Sequence, residues 1–211
     1  MQLARELWTL GDSTAQPLGE ALASLLKGDA LKPRSIFKNS SGLMRPDFFD
    51  WPKTAKSLVQ TRSPLGVLVS FGANDTQGLW LPSEKRAVQP GTPEWGDEYA
   101  KRVRAFVDIF AAKGTEVFMV GQPFDSARKY APMMRAVNDA FRKASEGGPH
   151  STFIDGEALL ADDEGHFQRT IEARGKQVLL RNDDGIHLTF DGAHLLATRA
   201  LSLVKKKLGA S

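Results

Sequence analysis

The sequence predicts an α/β protein in which helices cover both faces of a parallel sheet of five strands. Five short apolar segments alternate with longer amphipathic segments along the 211-residue chain. One of them, Leu65–Phe71, is a nearly continuous apolar run, which is typical of a strand covered on both faces. Such alternation is also typical of parallel strands joined by right-handed crossovers. The length is that of one domain, so we expect a single domain over residues 1–211.

Each predicted element has its own signal in the sequence. The strands are short apolar runs bounded by turn residues, and the helices repeat apolar residues every three or four positions. The predicted strands are Leu7–Leu10, Ser35–Lys38, Leu65–Phe71, Glu116–Val120 and Thr152–Ile154. The predicted helices are Ala15–Lys27, Trp51–Thr61, Pro93–Lys113, Ala131–Ser145 and Ala193–Leu208.

The segment Asp162–Arg181 departs from this alternation. It contains two short runs, Phe167–Ile171 and Gln177–Leu180, on either side of Gly175. Two such runs around a glycine predict a β-hairpin. We therefore expect a hairpin inserted over residues 162–181, where it would form one wall of a site that contains His187.

Composition excludes several classes of protein. The chain has no cysteine, which rules out disulfides, thiolate metal ligands and a cysteine nucleophile. No apolar run approaches the roughly 20 residues of a membrane helix, so no membrane span is predicted. The net charge of +3 is dispersed except at Lys205–Lys207, a run typical of a solvated helix end, and no nucleic-acid partner is predicted. The first predicted strand begins at Leu7, which leaves no room for a signal peptide.

Polar motifs follow the first three predicted strands. These motifs are Gly11–Ser13, Asn39–Gly42 and Gly72–Asp75. Ligand sites of open α/β sheets lie beyond the carboxyl ends of the strands. We therefore expect Ser13, Gly42 and Asn74 at one edge of the sheet. Asp184 and His187, in the loop before the last helix, can reach the same edge.

These residue types suit an acyl-transfer site. Ser13 would be the nucleophile, His187 its general base, and Asp184 the carboxylate that orients the imidazole. The oxyanion would need donors already aimed at it. The backbone N–H groups of Ser13 and Gly42 and the side-chain amide of Asn74 could supply them.

Each motif alone also has a simpler interpretation. Gly11–Ser13 could begin a helix as its N-cap, and Gly72–Asp75 could be an ordinary turn. Asp184 could cap the C-terminal helix region, Asp183 competes with it for the carboxylate role, and His187 could be a structural histidine. All of these interpretations would have to hold at once, which favours the combined hypothesis.

Four of these residues resemble the markers of the SGNH (GDSL-type) hydrolase superfamily. They are Ser13, Gly42, Asn74 and His187, in the same order and over nearly the full chain. Three longer segments are similar to a little-characterised bacterial branch of that superfamily. These are Ser41–Pro52, Gly72–Gly78 and Leu180–Thr189. The chain departs from the GDSL pattern at Thr14, which stands in place of the leucine.

The resemblance implies a flavodoxin-like α/β/α sandwich, no metal or organic cofactor, and ester hydrolysis or acyl transfer through an acyl-serine. Proteins of that branch are commonly exported to the cell envelope. This favours a periplasmic or other extracytoplasmic location, with any signal or anchor missing from this chain. Fold and superfamily do not specify a substrate. A small-molecule or glycan ester is expected, with an acetylated or succinylated carbohydrate favoured.

Two further alternatives stay open at this point. Water or a second alcohol could attack the acyl-enzyme, so the sequence does not distinguish a hydrolase from a transferase. The chain could also be a non-catalytic glycan- or partner-binding module that keeps the fold, although such a module has no use for the base. No oligomeric state is predicted.

Four residues are predicted to contact the substrate. They are Asp12, Arg45, Asp75 and Trp80. Arg45, Asp47 and Trp51 could together line a polar, sugar-like pocket. Asp47 could equally cap the helix that begins nearby, and Trp51 could belong to the core. Trp80 is expected in a loop that forms a binding wall, whereas Asp75 could instead orient its own loop.

Overall fold

The computed structural model describes residues 4–81, 83–124, 128–173 and 175–210. Its strands are β1 (Ala4–Gly11), β2 (Lys32–Phe37), β3 (Pro64–Ser70), β4 (Leu79–Leu81), β5 (Arg86–Val88), β6 (Glu116–Val120), β7 (Ser151–Ile154), β8 (Thr170–Ala173) and β9 (Lys176–Leu179). Its α-helices are α1 (Ala15–Leu25), α2 (Trp51–Thr61), α3 (Pro93–Ala111), α4 (Ala131–Glu146) and α5 (Phe190–Leu208).

The central sheet has five parallel strands in the order β2-β1-β3-β6-β7. Helices α1 and α5 pack on one face, and α2, α3 and α4 pack on the other. This confirms the predicted α/β sandwich and its five-stranded parallel sheet. The strand order reverses direction between β1 and β3, and such a switch point opens a crevice at the carboxyl ends of the strands.

Strand β3 shows why the core strands are continuously apolar. Val67, Leu68 and Val69 are all fully buried. Val67 and Val69 pack in the cluster beneath α2, α3 and α4, whereas Leu68 packs against α1 and α5. Because successive side chains of a strand point to opposite faces, a central strand of a sheet with helices on both faces is buried at nearly every position.

The helices pack one apolar face on the sheet and keep charged residues on the other. In α3 the buried face includes Tyr99, Val103, Phe106 and Phe110, at the three- and four-residue spacing of an amphipathic helix. Among the described helices, none is long and apolar enough to span a lipid bilayer.

Several predicted elements have different ends in the structure. Helix α5 begins at Phe190, three residues before the predicted start, because Thr189 Oγ1 accepts a hydrogen bond from the N–H of Gly192 at 3.1 Å and caps the helix. Strand β2 begins at Lys32 rather than Ser35, since its pairing with β1 extends back to Glu6. Backbone pairing does not require apolar side chains, so the apolar pattern alone underestimates this edge strand.

The predicted hairpin within residues 162–181 is present, with β8 and β9 paired antiparallel. Its first strand is shifted. Phe167 forms only an isolated bridge with Ala161, and the continuous pairing starts at Thr170. Gly175 adopts a φ of 71° at the turn between the strands, a conformation that glycine adopts without strain.

A second hairpin, β4–β5, follows β3 and was not predicted. Leu79 and Leu81 are buried and face the core, while the side chain of Trp80 between them is 55% exposed. The prediction that Trp80 lies in a loop is therefore wrong. Three residues are too few for a strand to show a recognisable alternation in the sequence.

An ion pair joins α5 to the segment that follows α1. Lys205 Nζ lies 2.6 Å from Asp29 Oδ2. This bond and the N–H of Leu31 hold the pKa of Asp29 below its usual value. A lowered pKa in the folded state adds stability above the unfolded pKa, and this stability is lost as the pH falls through the folded pKa. We expect Asp29→Asn to lower Tm by at most about 3 °C at neutral pH.

The difference in Tm between Asp29→Asn and the unmodified protein should shrink as the pH falls below the unfolded pKa of about 3.9 and through the lower folded pKa of Asp29. Thermal unfolding followed by circular dichroism between neutral and acidic pH measures this. Asp139→Asn is a matched control, since Asp139 is exposed and forms no ion pair with another described residue. A Tm difference that does not depend on pH would contradict the assignment to the ion pair.

Candidate active site

The loop after β1 and the loop before α5 bring Ser13 and His187 together. Ser13 Oγ lies 2.9 Å from Nε2 of His187. The other ring nitrogen of His187, Nδ1, lies 2.7 Å from Oδ2 of Asp184. Hydroxyl, imidazole and carboxylate thus form one continuous hydrogen-bonded chain, the arrangement in which a histidine can take the proton of a serine.

Asp184 is fixed by its own loop. Its Oδ1 accepts hydrogen bonds from the N–H groups of Ile186 at 2.8 Å and His187 at 2.9 Å, which leaves Oδ2 for the ring. Partial burial acts to raise the pKa of Asp184, but the hydrogen bonds from His187 and Ile186 outweigh it, so the pKa lies below its usual value. An ionised carboxylate at Nδ1 favours the tautomer that carries its proton there and accepts at Nε2.

Asp183 points away from the histidine. Its side chain is 94% exposed and pairs with Arg169, just before β8. Of the two adjacent carboxylates, Asp184 is therefore the one that contacts His187. A residue outside the loop also binds its backbone, since Tyr130, just before α4, donates a hydrogen bond from Oη to the carbonyl oxygen of Asp184 at 3.3 Å.

The three loops at the carboxyl ends of β1, β2 and β3 meet at Asn74. Its Nδ2 lies 2.8 Å from Asp12 Oδ2 and 3.2 Å from the carbonyl oxygen of Ser41. The backbone N–H groups of Ser13 and Gly42 have no hydrogen-bond acceptor within the described ranges. Both amide hydrogens of Asn74, in contrast, already have an acceptor.

Asp12 is a buried carboxylate. It is 0% exposed, its Oδ1 accepts from the N–H and the Oγ1 of Thr14, both at 2.8 Å, and its Oδ2 accepts from Asn74. Burial raises the pKa of Asp12 above its usual value despite these bonds. The predicted contact of Asp12 with substrate is wrong, because its carboxylate has no accessible surface. The simple helix-cap interpretation also fails, since the N-cap of α1 is Thr14 and makes no side-chain capping bond.

Asp75 is also 0% exposed. Its Oδ1 accepts from the N–H of Met44 at 2.9 Å, and its Oδ2 accepts from the N–H of Leu43 at 3.0 Å and from Tyr99 Oη at 2.5 Å. The predicted contact of Asp75 with substrate is wrong for the same reason as that of Asp12. Its carboxylate instead binds the loop that follows β2.

Trp51 belongs to the core and not to a sugar-like pocket. It is fully buried, and its Nε1 donates to Ser41 Oγ at 2.9 Å. Asp47 does not cap the adjacent helix, since it pairs with Arg45 at the surface. The N-cap of α2 is Asp50.

Arg45 and Trp80 have exposed side chains, and their contacts with substrate stay predictions. The backbone carbonyl of Trp80 accepts from Arg102 Nη2 at 3.2 Å, and Nη1 of the same guanidinium lies 3.7 Å from Met44 Sδ. Arg102 therefore attaches the β4–β5 hairpin to the loop that contains Gly42.

A partly buried polar network beside Ser13 was missed by the sequence patterns. Thr14 Oγ1 lies 2.9 Å from Ser70 Oγ and 3.4 Å from Gln122 Nε2, which donates to the carbonyl of Phe71 at 2.9 Å. The leucine of the GDSL pattern could make none of the hydrogen bonds of the Thr14 hydroxyl. The threonine at position 14, in place of that leucine, was the signal in the sequence that polar groups surround this position.

The order of the five sheet strands and the helices on both faces give the chain the α/β/α fold of SGNH-type hydrolases, which solved structures share. The chain belongs to the family described as "Protein of unknown function (DUF459)", whose sequence model matches residues 6–203. A search of curated proteins finds no significant match to the sequence.

Three solved structures illustrate the shared fold. A variant of an acetyl xylan esterase from Geobacillus stearothermophilus is 16% identical, with 100% of this chain and 97% of that chain covered and a TM-score of 0.64. TesA is 16% identical over 96% of this chain and 99% of its own, with a TM-score of 0.61. A GDSL-like lipase from Bacteroides thetaiotaomicron is 12% identical over 96% and 89%, with a TM-score of 0.60.

Proposed function

We propose that the protein is a serine esterase or O-acyltransferase that works through an acyl-serine at Ser13. The observation that carries this proposal is the unbroken hydrogen-bonded chain from Ser13 Oγ through the ring of His187 to Asp184. A serine hydroxyl is a weak nucleophile at neutral pH unless a positioned base removes its proton. In the proposed mechanism His187 is that base, and Asp184 is the carboxylate that orients it.

In the first half of the reaction, Ser13 Oγ forms a bond to the carbonyl carbon of the ester while Nε2 of His187 takes the hydroxyl proton. The carbonyl oxygen becomes an oxyanion. When the bond to the alcohol breaks, His187 returns the proton to the departing alkoxide and the acyl group stays on Ser13. Asp184 stabilises the imidazolium that exists between these two proton transfers.

In the second half, a hydroxyl compound attacks the acyl-serine, and His187 takes its proton and returns it to Ser13 Oγ. Water gives the free acid and a hydrolase. A sugar or other alcohol gives a new ester and a transferase. Both outcomes use the same residues, so the distinction depends on which nucleophile the site admits.

The proposed oxyanion hole consists of the N–H groups of Ser13 and Gly42 together with Asn74. One amide hydrogen of Asn74 bonds to Ser41 at 3.2 Å, the longer of its two contacts. We expect this hydrogen to turn to the oxyanion, while the shorter bond to Asp12 holds the amide in place. Each donor of this kind is worth about 100- to 1000-fold in kcat.

We propose an acylated carbohydrate as the substrate. An acetyl xylan esterase is among the proteins that share the fold, and exposed Trp80 and Arg45 offer an aromatic surface and a polar group of the kind that binds sugars. The alternative, a glycan- or partner-binding module, would also use such side chains. It would have no use for a histidine within 2.9 Å of a serine hydroxyl.

Labelling with a serine-directed fluorophosphonate, alongside hydrolysis of p-nitrophenyl acetate, tests the proposal. We expect one phosphonyl group per chain, located on Ser13 of the tryptic peptide Glu6–Lys27. Ser24→Ala is a matched control in the same peptide, because Ser24 is exposed on α1 and its loss should not alter labelling. A label on another residue would contradict the nucleophile. No label and no hydrolysis would favour the binding module.

A further inference from the structure

We infer that Asp75 and Tyr99 are positioning residues that set the oxyanion hole by holding the Gly42 loop against the turn that carries Asn74. The inference rests on the proposed function, because it assigns the two residues a task within that site. Neither side chain would touch the substrate, since both are fully buried.

The carboxylate of Asp75 joins two parts of the chain that are distant in sequence. It accepts the N–H groups of Leu43 at 3.0 Å and Met44 at 2.9 Å, which directly follow Gly42. Asp75 itself lies in the short 3₁₀ turn Ala73–Asp75, next to Asn74. One side chain therefore fixes the distance between Gly42 and Asn74, the two proposed oxyanion donors that do not belong to the nucleophile loop.

The loop approaches this carboxylate as closely as its backbone permits. A Cβ atom built on Gly42 would lie 2.1 Å from Asp75 Oδ1, far inside any tolerated contact. The absence of a side chain at position 42 is thus a requirement of the contact with Asp75. Because the proposed oxyanion donor of Gly42 is its backbone N–H, the direction of this donor depends on the position of the backbone itself.

Tyr99 holds the carboxylate from the side of α3. Its Oη lies 2.5 Å from Asp75 Oδ2, and its ring is stacked on Trp95 and Phe141 with centroid distances of 4.8 and 6.2 Å. Burial, together with the neighbouring Asp75, raises the pKa of Tyr99 well above its usual value, so the hydroxyl keeps its proton and donates it. The rigid aromatic stack thereby gives the carboxylate a fixed position.

Burial of a carboxylate costs free energy, since the charged form loses its hydration. Burial raises the pKa of Asp75 for this reason, while the bonds from Tyr99, Leu43 and Met44 act in the opposite direction. Three donors around one carboxylate place the loop more tightly than apolar packing can, because hydrogen bonds are directional. Oxyanion donors demand such accuracy, as a displacement of 1 Å can lower a rate by about 100-fold.

The test compares Asp75→Asn and Tyr99→Phe with the unmodified protein. Asparagine keeps the shape but turns an NH₂ group toward one of the two backbone N–H donors, so half of the contact becomes repulsive. We expect kcat for p-nitrophenyl acetate to fall about 100-fold in Asp75→Asn and about 10-fold in Tyr99→Phe. KM should stay within about twofold, because the oxyanion exists only in the transition state. The rate of fluorophosphonate inactivation should fall in parallel.

Thr115→Val is the matched control for a buried hydrogen bond lost elsewhere. Thr115 is buried and its Oγ1 donates to the carbonyl of Pro64 at 2.8 Å, at the opposite, amino-terminal edge of the sheet. We expect Thr115→Val to lower Tm by an amount similar to Tyr99→Phe while kcat stays within about twofold.

Equal kcat values in Tyr99→Phe and Thr115→Val, at similar losses of Tm, would overturn the inference. Should Asp75→Asn fail to fold, Tyr99→Phe decides alone, since it removes one oxygen atom and keeps the aromatic stack. If the unmodified protein shows no hydrolysis that depends on Ser13, this result would contradict the proposed function and, with it, the inference. An active unmodified protein whose two variants keep full kcat would contradict the inference only.

Discussion

Replacing His187 with alanine is expected to lower kcat for p-nitrophenyl acetate by about 10⁴- to 10⁶-fold, to the level left by Ser13→Ala. Without the imidazole, no described group lies within hydrogen-bond distance of Ser13 Oγ to take its proton. Members of a triad act as a unit, so the double variant Ser13→Ala/His187→Ala should lose no more than either single variant. Steady-state kinetics of the three variants measure this lack of additivity.

His194→Ala is a matched control for the loss of an imidazole. His194 lies seven residues further along, on α5, where its ring contacts Phe190 with a centroid distance of 6.1 Å. Its replacement should leave kcat within about twofold of the unmodified value. Additive losses in the double variant, or a His187→Ala protein that keeps most of its activity, would show that Ser13 reacts without this base.

The central strands of the sheet could be predicted because burial on both faces requires apolar side chains at nearly every position. Val67, Leu68 and Val69 form a continuous apolar run for that reason. The β4–β5 hairpin shows no such apolar run in the sequence, since each of its strands has only three residues. The start of α5 was placed too late, because it is set by one capping bond of Thr189 and not by a repeating pattern.

The candidate site was only partly accessible to sequence reasoning. Ser13 and His187 lie in motifs whose residue types and order point to one chemistry, and the structure brings them within 2.9 Å of each other. Asp12 and Asp75 were expected to face a substrate, as polar residues at the end of a strand often do. Their burial depends on distant partners such as Tyr99, 24 positions from Asp75, and no local pattern encodes such a contact.

Asp184→Asn is expected to lower kcat by about 10³- to 10⁴-fold, whereas Asp183→Asn should change it by less than about twofold. The amide can present its NH₂ group to His187 Nδ1, which favours the tautomer with a proton on Nε2 and leaves no lone pair for the serine proton. It also removes the charge that stabilises the imidazolium. Because the pKa of Asp184 lies below its usual value, the carboxylate is ionised and its charge is present throughout the neutral range.

The two variants make the same chemical change one residue apart, which separates the role of the carboxylate from the general effect of losing a negative charge. The pair between Asp183 and Arg169 is exposed, and such pairs are worth at most about 1 kcal/mol of stability. Asp183→Asn should therefore fold and react normally. A larger loss of kcat in Asp183→Asn than in Asp184→Asn would assign the carboxylate role to Asp183. That result would require the loop to rearrange before catalysis, because Oδ2 of Asp184 lies 2.7 Å from Nδ1 of His187 in this structure.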